Sequence, residues 1–382
     1  MKKLICILLV AAAFIVFAPA VYAEESLSFE EIYNQQAQES GADDLPDALP
    51  QETRNILDEL GVGSTDWQSV NNLSAEGIFE QIRQIAGEKG NAPLKASFSV
   101  LAVMLLCALL NGMKLSFGDR PLGGVIGMAG TLCICTVVVT PIVGCISNAA
   151  AVIKGAAGFL LACIPVLTGI MVASGQVVSA GTYNLLMVGA GNTISIIAAV
   201  FLVPLLNIFL AFSIVSAVSP SLNLSGVCGL FGKAVKWVLG FCMTVFTSLL
   251  TVQSVVSAAA DSTTTRAAKF MISSFVPVVG SALGDALNTV QGCVKLLKSG
   301  VGAFGLIAGA FIFLPVIVEC LLWMLTLTVC AGIGDIFELK EITTLLRSAS
   351  KVVETMFAIV LCCMTILMVS TVLMLVIGGG SA

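Results

Sequence analysis

Long apolar runs alternate with short polar stretches along most of the chain. A helix needs roughly 20 consecutive apolar residues to cross the hydrocarbon core of a bilayer. Runs close to or above that length lie near 97–113, 125–146, 156–174, 185–217, 237–260, 301–333 and 355–377. The pattern predicts an all-α polytopic membrane protein with about six to eight transmembrane helices. We expect its membrane domain to occupy residues 94–382.

Residues 1–23 have the three parts of a secretory signal peptide. Two lysines form a charged start, Leu4 to Phe17 form an apolar run, and Val21-Tyr22-Ala23 has the form of a cleavage site. The alternative is an uncleaved anchor helix, but the apolar run is short for a span, which needs roughly 20 residues. We therefore expect cleavage after Ala23 and a mature N-terminus outside the cytoplasm.

Residues 24–93, here called the leader, form an acidic segment. Of the 23 acidic residues in the chain, 15 lie between Glu24 and Glu88. From Pro93 onward the balance reverses, with 13 basic residues against eight acidic ones. This asymmetry places the leader in one compartment, which the signal peptide predicts to be extracytoplasmic. A segment with so few apolar anchors is expected to pack on the membrane domain or on a partner, although a merely solvated leader remains the alternative.

The leader contains two short helical patterns. Pro50 precedes a helix whose apolar residues share one face before Gly61 ends it. Ser74 caps a second predicted helix, which ends near Gly87. The apolar residues of the two helices are Ile56, Leu57 and Leu60 in the first, and Ile78, Phe79, Ile82 and Ile85 in the second.

Composition removes several classes of function. The chain is 58% hydrophobic and 11% charged, and it has no histidine, the commonest general base and transition-metal ligand. Its 13 cysteines lie almost entirely in apolar runs, where small buried hydrophobes are expected. Cys133 and Cys135 form a pair, but no second ligand pair accompanies them to hold a metal. Without a phosphate loop or a catalytic set, we expect no enzyme activity, no cofactor and no nucleic-acid binding.

An internal repeat of about 111 residues is indicated by two matched proline contexts. KGAAGFLLACIPV, which contains Pro165, aligns with RAAKFMISSFVPV, which contains Pro277. FLVPLL around Pro204 aligns with IFLPVI around Pro315. The sequence therefore predicts duplicated units at roughly 125–236 and 237–350, followed by a final span at 355–377.

The prolines point to interrupted segments inside the membrane domain. Ile164 to Gly175 and Val276 to Leu287 are candidates for broken backbone, which a membrane tolerates only where it lines a cavity or is buried in protein. The second contains Asp285 and is too polar for an ordinary lipid-facing span. We expect it to be re-entrant or interfacial, and the interfacial form would place Arg266, Lys269, Lys295 and Lys298 at the headgroups.

Glu319 is an ionisable residue four positions after Pro315, within an apolar run. Such a group is costly in a membrane and is a candidate ion or proton relay. A protonated glutamate that donates a hydrogen bond between helices explains it equally well. The corresponding residue of the first unit is the neutral Asn207. Gly305 and Gly309 form a small-residue pair and predict a close contact between helices.

The chain resembles the stage III sporulation protein AE family of endospore-forming bacteria. The residues that carry the resemblance are LPQETRNILDELGV in the leader, the first span FSVLAVMLLCALLNGMKLSF, and above all RAAKFMISSFVPVVGSALGDA. The likeness covers essentially the whole mature chain. It supplies no catalytic residues.

The resemblance implies a place in the complex that bridges mother cell and forespore after engulfment. The chain would lie in the mother-cell-derived outer forespore membrane, with its leader in the intermembrane space. The implied partners are the other stage III sporulation A proteins, one of them a cytoplasmic ATPase, and indirectly stage II sporulation protein Q. The complex is expected to act as a channel or secretion-like conduit needed for late forespore sigma-factor activity.

Two other functions remain open on the residues alone. A self-contained secondary transporter for a small solute would use the repeat and Glu319. An assembly scaffold would have no pathway of its own. Membrane lipid is an expected contact in all three cases, and a homo-oligomer is compatible with each.

Overall fold

The structure, a computed structural model, describes residues 29–65, 69, 73–117, 122–197, 203–218, 225–275 and 280–377. These residues form helices and connecting turns, with no strand among them. The helices are α1 Phe29–Ser40, a 3₁₀ helix Ala42–Ala48, α2 Gln51–Glu59, α3 Ala75–Phe117, α4 Leu122–Ala173, α5 Val177–Ile196, α6 Val203–Val218, α7 Ser225–Phe275, α8 Gly280–Ile336 and α9 Lys340–Ile377. The predicted all-α class is confirmed.

Five of the described helices are long and apolar enough to cross a membrane: α3, α4, α7, α8 and α9. A shorter apolar stretch, Val203–Ser216, lies in α6. The chain is therefore a polytopic membrane protein, as predicted. The predicted signal peptide and its cleavage site after Ala23 lie outside the described residues.

Two of the predicted apolar runs form a single helix. The runs 125–146 and 156–174 both belong to α4, which is 52 residues long and contains Pro141 and Pro165. A proline inside a helix removes one backbone hydrogen bond. α4 nevertheless stays continuous through both prolines, and it packs against α3, α5, α8 and α9.

The run 185–217 shows the opposite behaviour, because it contains parts of two helices. α5 ends at Ile196, and α6 begins at Val203 with Pro204 in its first turn. Proline suits a first turn, since the amide hydrogen that it lacks would have no helical partner there. In contrast, Pro315 lies within the continuous α8. The predicted duplication stays a prediction.

The first predicted broken segment is helical for most of its length. α4 continues from Ile164 to Ala173, so the expectation of a break at Pro165 is wrong. The chain turns only afterwards, at Gly175, whose φ of +79° is readily adopted by glycine. In the second segment Pro277 lies outside the described residues, and the backbone is helical from Gly280 onward.

The helix predicted after Pro50 is confirmed as α2, and Gly61 follows it with a φ of +73°. Ser74 also caps α3 as predicted, because its Oγ accepts a hydrogen bond of 3.0 Å from the Gly77 amide. The predicted end of this helix near Gly87 is wrong. A buried stripe continues along the helix at spacings of three or four residues, and its later members are Pro93, Ala96, Val100, Met104 and Cys107.

α8 lies at the centre of the helix bundle. It packs against α3, α4 and α9 and contributes the fully buried Phe304, Phe313 and Trp323. α8 and α9 run antiparallel, and the predicted small-residue contact is confirmed. A Cβ added at Gly305 would meet Thr371 at 3.4 Å, and one added at Gly309 would collide with Leu367.

Candidate functional site

The leader packs on the membrane domain, because α1 and the 3₁₀ helix contact α4 and both α1 and α2 contact α8. Pro50 lies so close to Gly155 of α4 that an added Cβ would stand 3.0 Å from its ring. Gly41 lies beside Val166 of the same helix. The inner side of the leader is apolar and buried, and it consists of Ala37, Ala42, Leu45, Leu49, Ile56, Leu57 and Val62.

Two polar contacts join α2 to the N-terminal part of α3. The Lys89 ammonium lies 3.0 Å from a carboxylate oxygen of Glu52. The Gln81 amide donates a hydrogen bond of 2.6 Å to Glu59. Because both contacts connect the same two helices, they hold α2 against the N-terminal part of α3 within the leader.

The outer side of the leader is acidic. Every described carboxylate between residues 30 and 88 is exposed. These are Glu30, Glu31, Glu39, Asp43, Asp44, Asp47, Glu52, Asp58, Glu59, Glu76, Glu80 and Glu88. Phe79, predicted to lie on the apolar stripe of α3, is 71% exposed. The leader thus combines an apolar inner side with an acidic outer side.

Glu319 takes part in a polar contact inside the bundle. Its half-buried carboxylate accepts a hydrogen bond of 2.9 Å from the Asn148 side-chain amide, which joins α8 to α4. The thiol of Cys145, one turn before Asn148, also interacts with Glu319 and with Cys320. Sequence reasoning missed Asn148, although a lone amide in a long apolar helix is a usable signal.

The other predicted site residues do not form one site. Pro315 is buried in α8, one turn before Glu319, whereas Pro165 and Pro204 are exposed on α4 and α6. Pro277 and the side chain of Asp285 lie outside the described part of the chain. Asn207 has a buried Oδ1 atom with no hydrogen-bond partner among the described residues. A role for any of these residues in a pathway remains a prediction.

The predicted row of lysines at the headgroups is wrong for one of its members. Lys295 is exposed as expected, but Lys298 is only 4% exposed. Its neighbours on α8, Val294, Leu297 and Val301, are also buried. One helical turn therefore separates an exposed lysine from a buried one.

The described cysteines are all free thiols, and most are buried. Cys133 and Cys242 are exposed, so the expectation of small buried hydrophobes does not hold for these two. Within the ranges that the structure describes, no group of three or more cysteine, aspartate or glutamate side chains is arranged to hold a metal ion.

Residues 65–379 match the family model of stage III sporulation protein AE. The chain is also 25% identical over 320 residues to the stage III sporulation protein AE of Bacillus subtilis (strain 168). That alignment covers 79% of this chain and 78% of the relative. No solved structure matches the chain.

Proposed function

Because the chain belongs to the stage III sporulation protein AE family, we propose that it is a membrane subunit of a multiprotein conduit between mother cell and forespore. The observation that carries this proposal is the family match, which includes every long helix of the membrane domain. In this role the chain is not an enzyme. It contributes to late forespore sigma-factor activity by forming part of the conduit wall or its support.

The two-sided leader supports a role inside an assembly. Its apolar residues are used for packing on α4 and α8, while its described carboxylates stay exposed, although some of them are paired within the leader. Charged surfaces that face a partner steer association and fix the orientation of the complex. We propose that the acidic side faces the intermembrane space and contacts extracytoplasmic parts of other stage III sporulation A proteins, and through them stage II sporulation protein Q.

The opposite end of the bundle carries an ion pair that lies away from the leader. Arg347 of α9 pairs there with Asp335 of α8. We propose that this end faces the mother-cell cytoplasm, where the ATPase of the complex would be its neighbour. The protein would then lie in the outer forespore membrane.

Purification from sporulating cells tests the conduit. A tagged full-length chain should retain the cytoplasmic ATPase and the other stage III sporulation A proteins when extracted in mild detergent. A strain that lacks the ATPase should arrest at the same stage as a strain that lacks this chain. Recovery of the chain without these partners, together with a different arrest stage, would contradict the proposal.

The Asn148–Glu319 contact keeps a secondary transporter as the second candidate, since an ionisable group inside a bundle is a feature of proton and ion relays. A transporter would bind its solute when purified alone. It would also complement a transport defect in a strain without the sporulation partners. A conduit subunit would do neither.

A further inference from the structure

The leader touches both α4 and α8. On α4, a Cβ added at Gly155 would lie 3.0 Å from the ring of Pro50, which precedes α2. On α8, the Leu322 side chain would lie 3.9 Å from a Cβ added at Gly90, in the last part of the leader. Two parts of the leader that are distant in sequence are therefore held on these two helices.

The leader contacts lie on the helix faces that carry the Asn148–Glu319 hydrogen bond. Gly155 is seven residues after Asn148, which is two turns and about 10 Å along the same face of α4. Leu322 is three residues after Glu319, which is close to one turn and about 4.5 Å along α8. The leader therefore sits over the part of the bundle in which the hydrogen bond is formed.

The two leader contacts bracket this hydrogen bond, because α4 and α8 run antiparallel. Gly130 of α4 and Gly334 of α8 both lie against the start of α9, and the two helices meet again at their hydrogen bond. Movement from that bond to Gly155 and movement from it to Leu322 thus follow opposite directions along the bundle axis. One leader contact lies on each side of the hydrogen bond.

An ion pair joins the two parts of the leader that make these contacts. Lys89 is next to Gly90, and Glu52 is two residues after Pro50. The Lys89 ammonium and the Glu52 carboxylate are 3.0 Å apart. The contact on α4 and the contact on α8 are therefore linked, and loss of one is expected to loosen the other.

A cover at this position changes the surroundings of the carboxylate. Glu319 and Asn148 are half-buried, and a hydrogen bond is stronger where water is kept away. Lifting of the leader would admit water, whose own hydrogen bonds compete with the one that Asn148 donates. The state of Glu319 thus depends on whether the leader is seated.

We propose that the leader is a movable cover over the Asn148–Glu319 contact, and that it controls the access of water and small solutes to the Glu319 carboxylate. The cover closes through Pro50 on α4 and Gly90 on α8. The exposed carboxylates of the leader lie on the cover itself, so a partner that binds them acts on the cover. This inference goes beyond the proposed conduit role, because it concerns access within one chain.

Carboxyl modification tests the cover. Full-length protein in phosphatidylcholine nanodiscs is treated with a water-soluble carbodiimide and glycine amide, and modification of Glu319 is followed by peptide mass spectrometry. The exposed Glu338, between α8 and α9, is the internal reference. We expect several-fold faster modification of Glu319 in Gly155→Leu, which clashes with Pro50, and an unchanged rate in Gly158→Leu, which has open space.

A reversible lock provides a second measurement. A Cβ added at Gly155 lies 4.0 Å from the Cβ of Pro50, within the range of about 3.5–4.5 Å that a disulfide requires. Pro50→Cys combined with Gly155→Cys, in a background without the native cysteines, should therefore form this bond on oxidation. We expect Glu319 to be modified several-fold more slowly in the oxidised protein than in the same protein after reduction.

Equal rates at Glu319 in the two leucine variants would overturn the proposal, and so would equal rates in the oxidised and reduced lock. Faster modification of Glu319 and Glu338 together would show a general loosening of the bundle, which also contradicts a cover. Failure of the lock to form would contradict the contact between Pro50 and Gly155. If Gly155→Leu does not fold, the lock decides by itself, and neither experiment depends on the conduit partners.

Discussion

At the scale of single residues, Glu319 gives the sharpest test of the two candidate functions. Glu319→Gln keeps the size and can keep the hydrogen bond with Asn148, but it removes the ionisable group. If the contact serves packing, the variant should support normal numbers of heat-resistant spores. A large loss of spores with normal protein levels would indicate a relay.

Asn148→Leu is the matching change on the other side of the contact. It leaves the Glu319 carboxyl group without its amide partner, and an unsatisfied polar group inside a protein costs about 1–3 kcal/mol. We expect a lower unfolding midpoint in detergent. A midpoint equal to that of wild type would mean that the hydrogen bond does not stabilise the fold.

Gly309 tests the close approach of α8 and α9. Gly309→Ala puts a methyl group against Leu367, and such overpacking costs about 1–3 kcal/mol. Gly332→Ala is the control, because that glycine is on the same helix with open space around it. We expect only the first variant to lower the unfolding midpoint, and Leu367→Ala should restore part of the loss in the double variant.

At the scale of elements, the close contact between Pro50 and Gly155 is expected to hold the leader against α4. Gly155→Leu should lift the leader off α4, while Gly158→Leu adds the same side chain three residues away where no neighbour is within 4 Å. Trypsin cleavage after Arg54, which is half-buried and bonded to the Pro46 carbonyl, reports the change. Cleavage should speed up in the first variant only.

Equal cleavage rates in the two leucine variants would show that the leader does not depend on this contact. A faster rate in both would point instead to a general effect of the added side chain on α4.

The hydrophobic pattern predicted the helices themselves, but it did not predict the ends of every helix or which of their faces are buried. Gln51–Glu59 was predictable because Pro50 and Gly61 mark its limits. The continuous α4 was not, since Pro165 is a breaking signal whose effect depends on neighbouring helices that no local pattern describes. An apolar residue also gives the same local sequence pattern whether it is exposed at the surface of the bundle or buried between helices. Pro165 is exposed and Pro315 is buried, although both lie inside apolar helices.

The candidate site was predictable only in part. Glu319 stood out because a charge in an apolar run is rare. Asn148 lies 171 positions away, and only the tertiary fold brings the two together. Lys298 and Lys295 have the same local context, so which of them is buried depends on the packing of α8 against the rest of the bundle.

At the scale of the whole molecule, helix register predicts which positions share a side of the membrane. Ser174 follows α4, and Gln291 lies near the start of α8, so both are at the leader end of the bundle. Ser348, early in α9, is at the other end, about 50 Å or more from Gln291 along the bundle. In a cysteine-free background, single cysteines at Ser174 and Gln291 should therefore face one side of the membrane, and a single cysteine at Ser348 should face the other.

A membrane-impermeant thiol reagent added to intact cells is expected to label Ser174→Cys and Gln291→Cys. Ser348→Cys should react only after permeabilisation. Labelling of Ser348→Cys together with Gln291→Cys from outside would contradict the arrangement of the bundle. If none of the three cysteines is labelled on intact cells, the same reagent is applied after permeabilisation. Labelling of all three under that condition would show that they share the cytoplasmic side, which would also contradict the arrangement.

α8 has a mechanical consequence. A helix of 57 residues is about 85 Å long, nearly three times the hydrocarbon thickness, and it is continuous from the leader to the Arg347–Asp335 ion pair. A helix of this length couples a displacement at one end to a displacement at the other, provided that Pro315, which removes one backbone hydrogen bond, does not act as a hinge. We expect pairs of probes at the two ends of α8 to keep a fixed separation while the assembly works.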